Sequence, residues 1–160
     1  MECVKYVVRY NMLNTKEVAQ SLRKNGYKVT PQRLAVYEWL SHTQEHPTAE
    51  MLYSRLQPKY PSMSLSTVYK AMDIFEKLQL VKVLNTGEDS YRFDADTSEH
   101  AHVQCLECGR VDDVRIDPAE IREQAGRDSG YEVQKQEVYF YGVCPRCRSK
   151  KEAGAAGDKN

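Results

Sequence analysis

Two cysteine pairs with the same spacing offer the clearest chemistry in this sequence of 160 residues. Cys105 and Cys108 form one Cys-x-x-Cys motif, and Cys144 and Cys147 form the second. Four thiolates suit a tetrahedral Zn²⁺ ion, with each zinc–sulfur bond about 2.3 Å long. Such a site is closed, because four thiolates leave no position for a catalytic water. The pattern therefore predicts a structural zinc site.

The cysteine pattern also allows other interpretations. Cys-x-x-Cys occurs in thiol oxidoreductases, although no thioredoxin-like β-α-β order surrounds either motif here. Unrelated buried cysteines, a zinc hydrolase, and a zinc ribbon that serves only protein interactions are further alternatives. The closed four-thiolate set argues against the hydrolase. Cys3, the fifth cysteine, belongs to neither pair and carries no prediction.

A histidine pair directly precedes the first cysteine motif. His100 and His102 are two positions apart, and side chains at i and i+2 of a strand point the same way, so both imidazoles can bind one ion. His46, Asp94 and Asp113 are further candidate ligands, but each could equally be an ordinary surface residue. Three imidazoles and two carboxylates would suit Fe²⁺ or Mn²⁺ better than a thiolate-preferring ion.

The composition indicates where such a protein works. No run of 18 or more apolar residues is present, so we expect no membrane span. The apolar stretch at the N-terminus is too short for a secretory signal and is interrupted by Lys5 and Arg9. We therefore expect a cytoplasmic protein with reduced thiols, which favours metal binding over disulfides. The sequence leaves open whether translation starts at Met1 or Met12.

The formal net charge is zero, but the charges are unevenly distributed. Residues 1–84 contain 12 Lys and Arg against 7 Asp and Glu, whereas residues 85–160 contain 11 against 16. A basic half that contacts phosphate and an acidic half that binds cations would produce this asymmetry. Ordinary surface variation would also produce it, so the charges alone leave both explanations open.

Four helices and a β-hairpin are predicted for the first half. Each helix begins after a capping residue: Asn14 or Thr15, Thr30 before Pro31, Thr48, and Ser64 or Ser66. Two short runs, 80–84 and 90–94, flank a glycine-containing turn and predict the hairpin. Together these elements indicate a winged helix-turn-helix, in which one helix enters the DNA major groove. A small helical domain with an incidental hairpin is the alternative.

The second half changes to a strand pattern. A strand run is predicted over 102–116, a helix over 118–127, and a strand over 131–143 with a bend or bulge where its alternation breaks. A strand–helix–strand connection of this kind could bring the second cysteine pair next to the first. The tail, 149–160, is rich in Lys, Gly and Ala, has nothing to bury and is predicted to be disordered.

Seven motifs extend these observations along residues 14–148, nearly the whole chain. They are Thr30-Pro-Gln-Arg33, His46-Pro-Thr-Ala49, Ser66-Thr-Val-Tyr69, Arg92-Phe-Asp94, His100-Ala-His102, Cys105-x-x-Cys108-Gly109 and Tyr141-Gly-Val-Cys144-x-x-Cys147. In type and order they resemble the ferric uptake regulator (Fur) family. The resemblance implies an α+β protein with a winged-helix DNA-binding domain at 12–94 and an α/β dimerisation domain at 95–148. It also implies a four-cysteine zinc site and a regulatory metal site at the hinge.

The regulatory ligands implied by the resemblance are His46, Asp94, His100, His102 and Asp113. All five match the peroxide-responsive branch of the family. Iron-responsive members usually carry Glu in place of Asp113 and Asp where this chain has alanine between the two histidines. The resemblance therefore implies a repressor, not an enzyme, that peroxide releases from DNA through iron-catalysed oxidation of His46 or His100. An iron-responsive repressor without peroxide sensing is the alternative.

The resemblance also implies a homodimer on double-stranded operator DNA. Lys and Arg side chains of the first half would hold phosphates, and the fourth helix would read bases. Tyr69 offers a ring to a thymine methyl, and Lys70 could reach a phosphate or a guanine edge. The expected DNA contacts are Arg33, Ser66, Thr67, Tyr69 and Lys70.

Overall fold

The computed structural model describes residues 12–87, 91–114 and 116–157. The contacts divide the chain into two compact units, with unit 1 ending at Ser98 and unit 2 beginning at Glu99. The sequence places this boundary slightly earlier, after Asp94. Cys3, the possible start at Met1, the hairpin residues 88–90 and the tail residues 158–160 lie outside the described residues. Within the described ranges, no helix is long and apolar enough to cross a membrane.

Unit 1 contains the four predicted helices, each with the expected type of cap. They are α1 (Thr15–Lys24), α2 (Pro31–His42), α3 (Ala49–Leu56) and α4 (Leu65–Lys77). Asn14 caps α1 through a reciprocal capping box with Glu17, and Thr30, Thr48 and Ser64 accept hydrogen bonds from the first turns of the other three helices. The structure thus confirms Asn14 over Thr15 and Ser64 over Ser66. Capping sets where each helix begins, and so where its exposed residues point.

The core of unit 1 is formed by the apolar faces of these helices. Tyr37 on α2 packs edge-to-face against Phe75 on α4, with ring centroids 5.5 Å apart. The hydroxyl of Tyr37 accepts a hydrogen bond from the backbone N–H of Leu13, 3.2 Å away, so the buried phenol keeps a polar partner. Val18 and Leu22 on α1 are completely buried against the same core.

The predicted hairpin consists of β1 (Lys82–Leu84) and β2 (Arg92–Asp94), which pair antiparallel. Phe93, opposite Val83, is buried in the helical core and attaches the hairpin to the bundle. Its backbone N–H also donates to the carbonyl of Pro47, 3.0 Å away, just before α3. This attachment confirms a winged helix-turn-helix arrangement and argues against an incidental hairpin.

Unit 2 is built on a three-stranded mixed sheet. Its elements are β3 (Ala101–Cys105), β4 (Val111–Val114), α5 (Pro118–Ser129), β5 (Tyr139–Gly142) and α6 (Pro145–Gly157). The strand order is β4-β3-β5, with β3 antiparallel to β4 and parallel to β5. The predicted strand run 102–116 is therefore two strands joined by a turn, and α5 forms part of the crossover to β5.

The long strand predicted over 131–143 is wrong for its first part. Only Tyr139–Gly142 forms a strand, and residues 131–138 have no regular structure. Residues 131–138 are exposed or half-buried, so no apolar face fixes a strand register there. The alternation of apolar and polar residues, which a strand needs, is already broken in the sequence of 131–143.

The prediction of a disordered tail is also wrong for residues 149–157. Helix α6 starts at Pro145 inside the second cysteine motif and continues to Gly157. Lys, Glu and Ala have high helix propensity, so a stretch rich in them can form a helix even when it has no apolar face to bury. Lys151 adds a tertiary contact, because its ammonium lies 2.6 Å from the carboxylate of Glu107 in the first cysteine motif.

The capping box of α1 supplies a stability test. Asn14→Ala removes the side-chain acceptor for the backbone N–H groups of Lys16 and Glu17, and should destabilise unit 1 by about 1 kcal/mol. Asn14→Asp keeps an acceptor at the N-terminus of the helix and should preserve stability. Urea unfolding followed by circular dichroism checks both variants. Equal unfolding free energies for wild type and Asn14→Ala would contradict this account of the cap.

Candidate metal centres and nucleic-acid interface

The parallel pairing of β3 and β5 brings the two cysteine motifs together. Cys105, the last residue of β3, lies opposite Gly142, the last residue of β5, so both motifs follow from the same edge of the sheet. The backbone N–H of Leu106 donates to the carbonyl of Gly142 at 2.7 Å, which extends the pairing into the first motif. Gly109 has a φ of +66°, a left-handed conformation that closes the turn after Cys108.

The spacing of the four thiols fits a tetrahedral zinc ion. The sulfur atoms of Cys105, Cys108, Cys144 and Cys147 all lie within 4.8 Å of one another. Two thiolates bound to one tetrahedral zinc at 2.3 Å would be about 3.8 Å apart. The sulfur atoms of Cys108 and Cys144 are 3.8 Å apart. The structure thus brings all four predicted ligands together with the separation that zinc requires.

Hydrogen bonds and proton sharing perturb these thiols in opposite directions. The backbone N–H of Cys144, together with that of Cys108, lowers the pKa of Cys105 to about 6, and the backbone N–H of Arg110 lowers that of Cys108. The pKa of Cys147 is raised to about 12, first by its hydrogen bond with Cys144. Four adjacent thiols cannot all ionise without a counter-charge. A bound dication would supply that charge.

Two basic side chains surround the cysteine cluster. Arg146, between Cys144 and Cys147, hydrogen-bonds the Cys108 sulfur, and the thiolate raises the pKa of its guanidinium. Lys151 on α6 pairs with Glu107, the residue before Cys108. Four thiolates around one Zn²⁺ would carry a net charge of −2, which nearby cations stabilise. The sequence did not predict either residue at this site, although both belong to the Lys/Arg-rich stretch after Cys144.

The sheet of unit 2 also positions the histidine pair. His102 on β3 lies directly opposite Asp113 on β4, and Tyr139 on β5 flanks it on the other side. The His102 ring stacks on Tyr139 with centroids 5.6 Å apart and lies 4.5 Å from the ring of His100. The two imidazoles are thus held side by side, as the i, i+2 spacing predicts.

Asp113 presents one oxygen to both rings. Its Oδ1 lies 3.4 Å from Nε2 of His100 and 3.9 Å from Nε2 of His102, beyond good hydrogen-bond length. Nitrogen and oxygen ligands about 2.1 Å from a common ion are separated by about 3 to 3.5 Å. The His100–Asp113 spacing fits that range, and the His102–Asp113 spacing is slightly wider. All three side chains are largely buried, so the group is not a solvated surface cluster and could hold a metal ion.

Unit 1 holds a second His–Asp pair. Nε2 of His46 lies 3.6 Å from Oδ2 of Asp94, and both side chains are buried. Two hydrogen bonds from β2 hold the segment that carries His46. The guanidinium of Arg92 donates to the carbonyl of His46 at 3.2 Å, and the backbone N–H of Phe93 donates to the carbonyl of Pro47. His46 itself has a φ of +44°, a strained conformation that such contacts must hold.

The carboxylate of Asp94 is oriented by the chain that follows it. Its Oδ1 accepts the backbone N–H of Asp96 at 2.8 Å, which leaves Oδ2 facing His46. Asp96 in turn accepts the backbone N–H of Ser98 at 3.0 Å and its hydroxyl at 2.6 Å. Successive side-chain caps therefore fix residues 94–98 at the end of unit 1.

The exposed face of α4 carries the predicted DNA contacts of that helix. Ser66, Tyr69 and Lys70 are exposed on its N-terminal half, and Thr67 is half-buried. The hydroxyls of Ser66 and Thr67 each lie 2.9 Å from that of Ser64, the N-cap. On the C-terminal half, Lys77 is paired with Asp73 at 2.8 Å. The charge available to phosphate therefore lies on the N-terminal half, the part of a reading helix that contacts bases.

Arg33 lies apart from this face, in the first turn of α2. Its guanidinium donates to the carbonyl of Lys28 in the preceding loop. The side chain is half-buried, with part of its donor set used within the protein. A phosphate contact by Arg33 stays a prediction.

Comparison with known proteins places these sites in a family. The model of the Ferric uptake regulator family matches residues 24–141. The Peroxide operon regulator of Bacillus subtilis is 40% identical over 138 residues, which cover 86% of this chain and 94% of that protein. The Peroxide-responsive repressor PerR of Staphylococcus epidermidis is 35% identical over 136 residues, 84% of this chain and 91% of that protein.

A solved structure agrees with these relatives. The Campylobacter jejuni peroxide stress regulator has 31% sequence identity and a TM-score of 0.63, and the alignment covers 85% of this chain and all of that one. The family match spans most of the chain; it includes the candidate His and Asp ligands of both units and the first cysteine motif, and it ends just before Cys144. With its winged helix, its four-cysteine cluster and its relatives of similar length, this chain belongs to the ferric uptake regulator family.

Proposed function

We propose that this chain is a dimeric, metal-dependent transcriptional repressor that binds operator DNA and is released by hydrogen peroxide. The observation that carries the proposal is the coexistence of two ligand sets of different chemistry. A closed four-thiolate cluster serves structure, whereas His and Asp side chains suit an exchangeable metal. The family consists of regulators, and the relatives identified above are named for their response to peroxide.

Zinc is the proposed ion of the cysteine cluster. The four thiolates would hold it where β3 and β5 end, so that the ion joins the sheet to α6. Its binding free energy would then contribute to the folding of unit 2, because the unfolded chain has no preformed site. With all four positions filled by sulfur, this ion would have no catalytic role.

Fe²⁺ or Mn²⁺ is the proposed regulatory ion, held by His46, Asp94, His100, His102 and Asp113. The first two ligands belong to unit 1 and the last three to unit 2. Five residues separate Asp94 from His100, and an extended chain of that length spans no more than about 20 Å. Ligands on both sides of so short a connection would make metal binding restrict the relative orientation of the two units.

In a symmetric dimer, that orientation would set the distance between two copies of α4. Reading helices of a dimer must match half-sites one helical turn, about 34 Å, apart on DNA. Metal binding would thus favour one of two arrangements of the dimer and increase affinity for the operator. Ser66, Tyr69 and Lys70 would meet the DNA from the exposed half of α4.

We assign release of the repressor from operator DNA to oxidation of an imidazole ligand. When bound, Fe²⁺ supplies the one-electron chemistry that converts hydrogen peroxide into an oxidant next to its ligands, which Mn²⁺ does not readily do. His46 and His100 are the proposed oxidation targets, because a short-lived oxidant attacks the nearest groups first. An oxidised ring binds metal poorly, so the two units would regain their freedom and the operator would be released.

Two other functions are less well supported. An iron-responsive repressor would use the same ligands, but the relatives at 35–40% identity carry peroxide in their names. A thiol oxidoreductase or zinc hydrolase does not fit a family of transcription regulators. The convergence of both cysteine motifs on one point also leaves neither motif as an independent redox pair.

The zinc assignment predicts a strong effect of one cysteine. Cys144→Ser should lose zinc, the dimer and the fold of unit 2. The reason is that the binding free energy of such a zinc site, on the order of 10 kcal/mol, is coupled to folding. Cys3→Ser, which removes the cysteine outside both motifs, is the matched control. Metal analysis, sedimentation velocity and thermal unfolding measure the outcome. A zinc-free Cys144→Ser variant that remained a stable dimer would refute the assignment.

The DNA face predicts a distinction between two lysines of α4. Lys70→Gln should lower affinity for DNA and reduce the slope of log K against log salt by about one, the effect of one lost phosphate contact. Lys77→Gln removes a charge that Asp73 already compensates and should change the slope little. Fluorescence anisotropy on a duplex selected from a random-sequence library by the Mn²⁺-loaded protein provides the slopes. Equal slopes for wild type and Lys70→Gln would show that the DNA face is misplaced.

Peroxide sensing predicts a specific covalent change. Fe²⁺-loaded protein treated with hydrogen peroxide should gain one oxygen atom on a peptide containing His46 or His100, and the Mn²⁺-loaded protein should not. Asp113→Glu moves the carboxylate by about one C–C bond, 1.5 Å, toward the rings of His100 and His102. We expect it to keep metal-dependent DNA binding but to slow the oxidation.

Peptide mass spectrometry and the anisotropy assay follow both changes over time. Loss of DNA binding on iron removal alone, with both histidines unmodified after peroxide, would favour the iron-responsive alternative. Oxidation of methionine or of the zinc-site thiols before either histidine would contradict the proposed oxidation site.

A further inference from the structure

A hydrogen bond links the proposed reading helix to the helix before it. The phenol of Tyr69 on α4 donates to Oε1 of Glu50 on α3, with 2.5 Å between the two oxygen atoms. Both side chains lie at the surface, and Tyr69 is 46% exposed. Neither residue has a part in the two metal-ligand sets.

Packing alone does not hold the Tyr69 ring in place. Its neighbour Val68 is completely buried, but Tyr69 itself points outward from α4. The bond to Glu50 therefore supplies the restraint on the ring that burial supplies elsewhere. Hydrogen bonds to a charged acceptor are stronger than neutral ones, so this restraint survives at an exposed position.

Glu50 is suited to act as a charged anchor. It lies in the first turn of α3, where the partial positive charge of the helix N-terminus stabilises a carboxylate. The phenol of Tyr69 further lowers the pKa of Glu50, while the carboxylate raises the pKa of the Tyr69 phenol. At neutral pH the pair is thus an ionised acceptor and a neutral donor.

We infer that Glu50 is a positioning residue for base readout, which holds the Tyr69 ring against the 5-methyl group of a thymine in the major groove. The inference rests on the proposed DNA-binding function. A thymine methyl is the apolar group of the major groove that a flat ring recognises by contact. A ring held in one rotamer makes this contact without first losing conformational entropy on binding.

The position of the bond also argues against a purely structural role. Helices α3 and α4 already pack through buried apolar side chains, including Leu52 and Leu56 on α3 and Val68 and Met72 on α4. A carboxylate beside a DNA-reading surface would moreover repel phosphate. The helix N-terminus favours an acid at this position, and its bond to Tyr69 gives that acid a role at the reading surface.

The experiment measures whether the protein senses a single methyl group. The Mn²⁺-loaded full chain selects duplexes from a random-sequence library, and each thymine of the selected duplex is then replaced in turn by deoxyuridine, which lacks the 5-methyl group. In wild type, replacement at one thymine per half-site should weaken binding about fourfold, on the scale of one buried methyl group. Glu50→Gln and Tyr69→Phe should reduce this effect to less than about twofold, and the double variant should reduce it no further.

Glu38→Gln is the matched control, because it removes the same charge from the exposed surface of α2 in unit 1. It should keep the fourfold methyl effect, and all variants should share the wild-type unfolding midpoint. Retention of the methyl effect by Glu50→Gln, or absence of any methyl-sensitive thymine in wild type, would overturn the inference and leave DNA binding intact. Failure of wild type to enrich any sequence would instead overturn the proposed function itself, and the inference with it.

Discussion

The parallel pairing of β3 and β5 is the contact on which unit 2 depends. These strands are separated in sequence by β4, α5 and an irregular stretch, yet Cys105 and Gly142 end side by side. Because parallel strands end at the same edge, the two cysteine motifs emerge together and their sulfur atoms converge. Parallel pairing of so few residues is weak without further support. A metal ion that joins the two motifs would supply that support, and so couple folding to zinc.

The same sheet carries the histidines through a different property of β-structure. Across the antiparallel pair, register places His102 opposite Asp113, and across the parallel pair it places His102 beside Tyr139. A shift of one residue in either pairing would turn His102 to the other face of the sheet. Cys105 and His102 belong to the same short strand, so the pairing that aligns the cysteine motifs also sets the register of the proposed regulatory ligands His102 and Asp113.

In unit 1, two features are held in place by their surroundings: the segment before α3 and the exposed half of α4. Pro47 and the strained His46 precede α3, and hydrogen bonds from β2 fix both of them. The exposed half of α4 combines hydroxyls, one ring and one lysine, with Tyr69 restrained by Glu50. Restrained side chains on a capped helix reduce the conformational entropy lost on binding DNA. We therefore regard the helix caps and the Tyr69–Glu50 bond as parts of one prearranged surface.

The sequence by itself determined the features that depend on local chemistry. Caps at Thr30 and Thr48, the hairpin and the four zinc ligands follow from residue type and spacing, because capping, turns and metal preference act over a few residues. For α1 and α4 the sequence offered two caps each, and the structure selected Asn14 and Ser64. Only the tertiary structure decided the long-range features. Strand register placed Asp113 opposite His102, the contact between α3 and α4 revealed Glu50, and the tail continues α6, with Lys151 paired to Glu107. Such contacts join residues far apart in the chain, where spacing carries no information about which side chains meet.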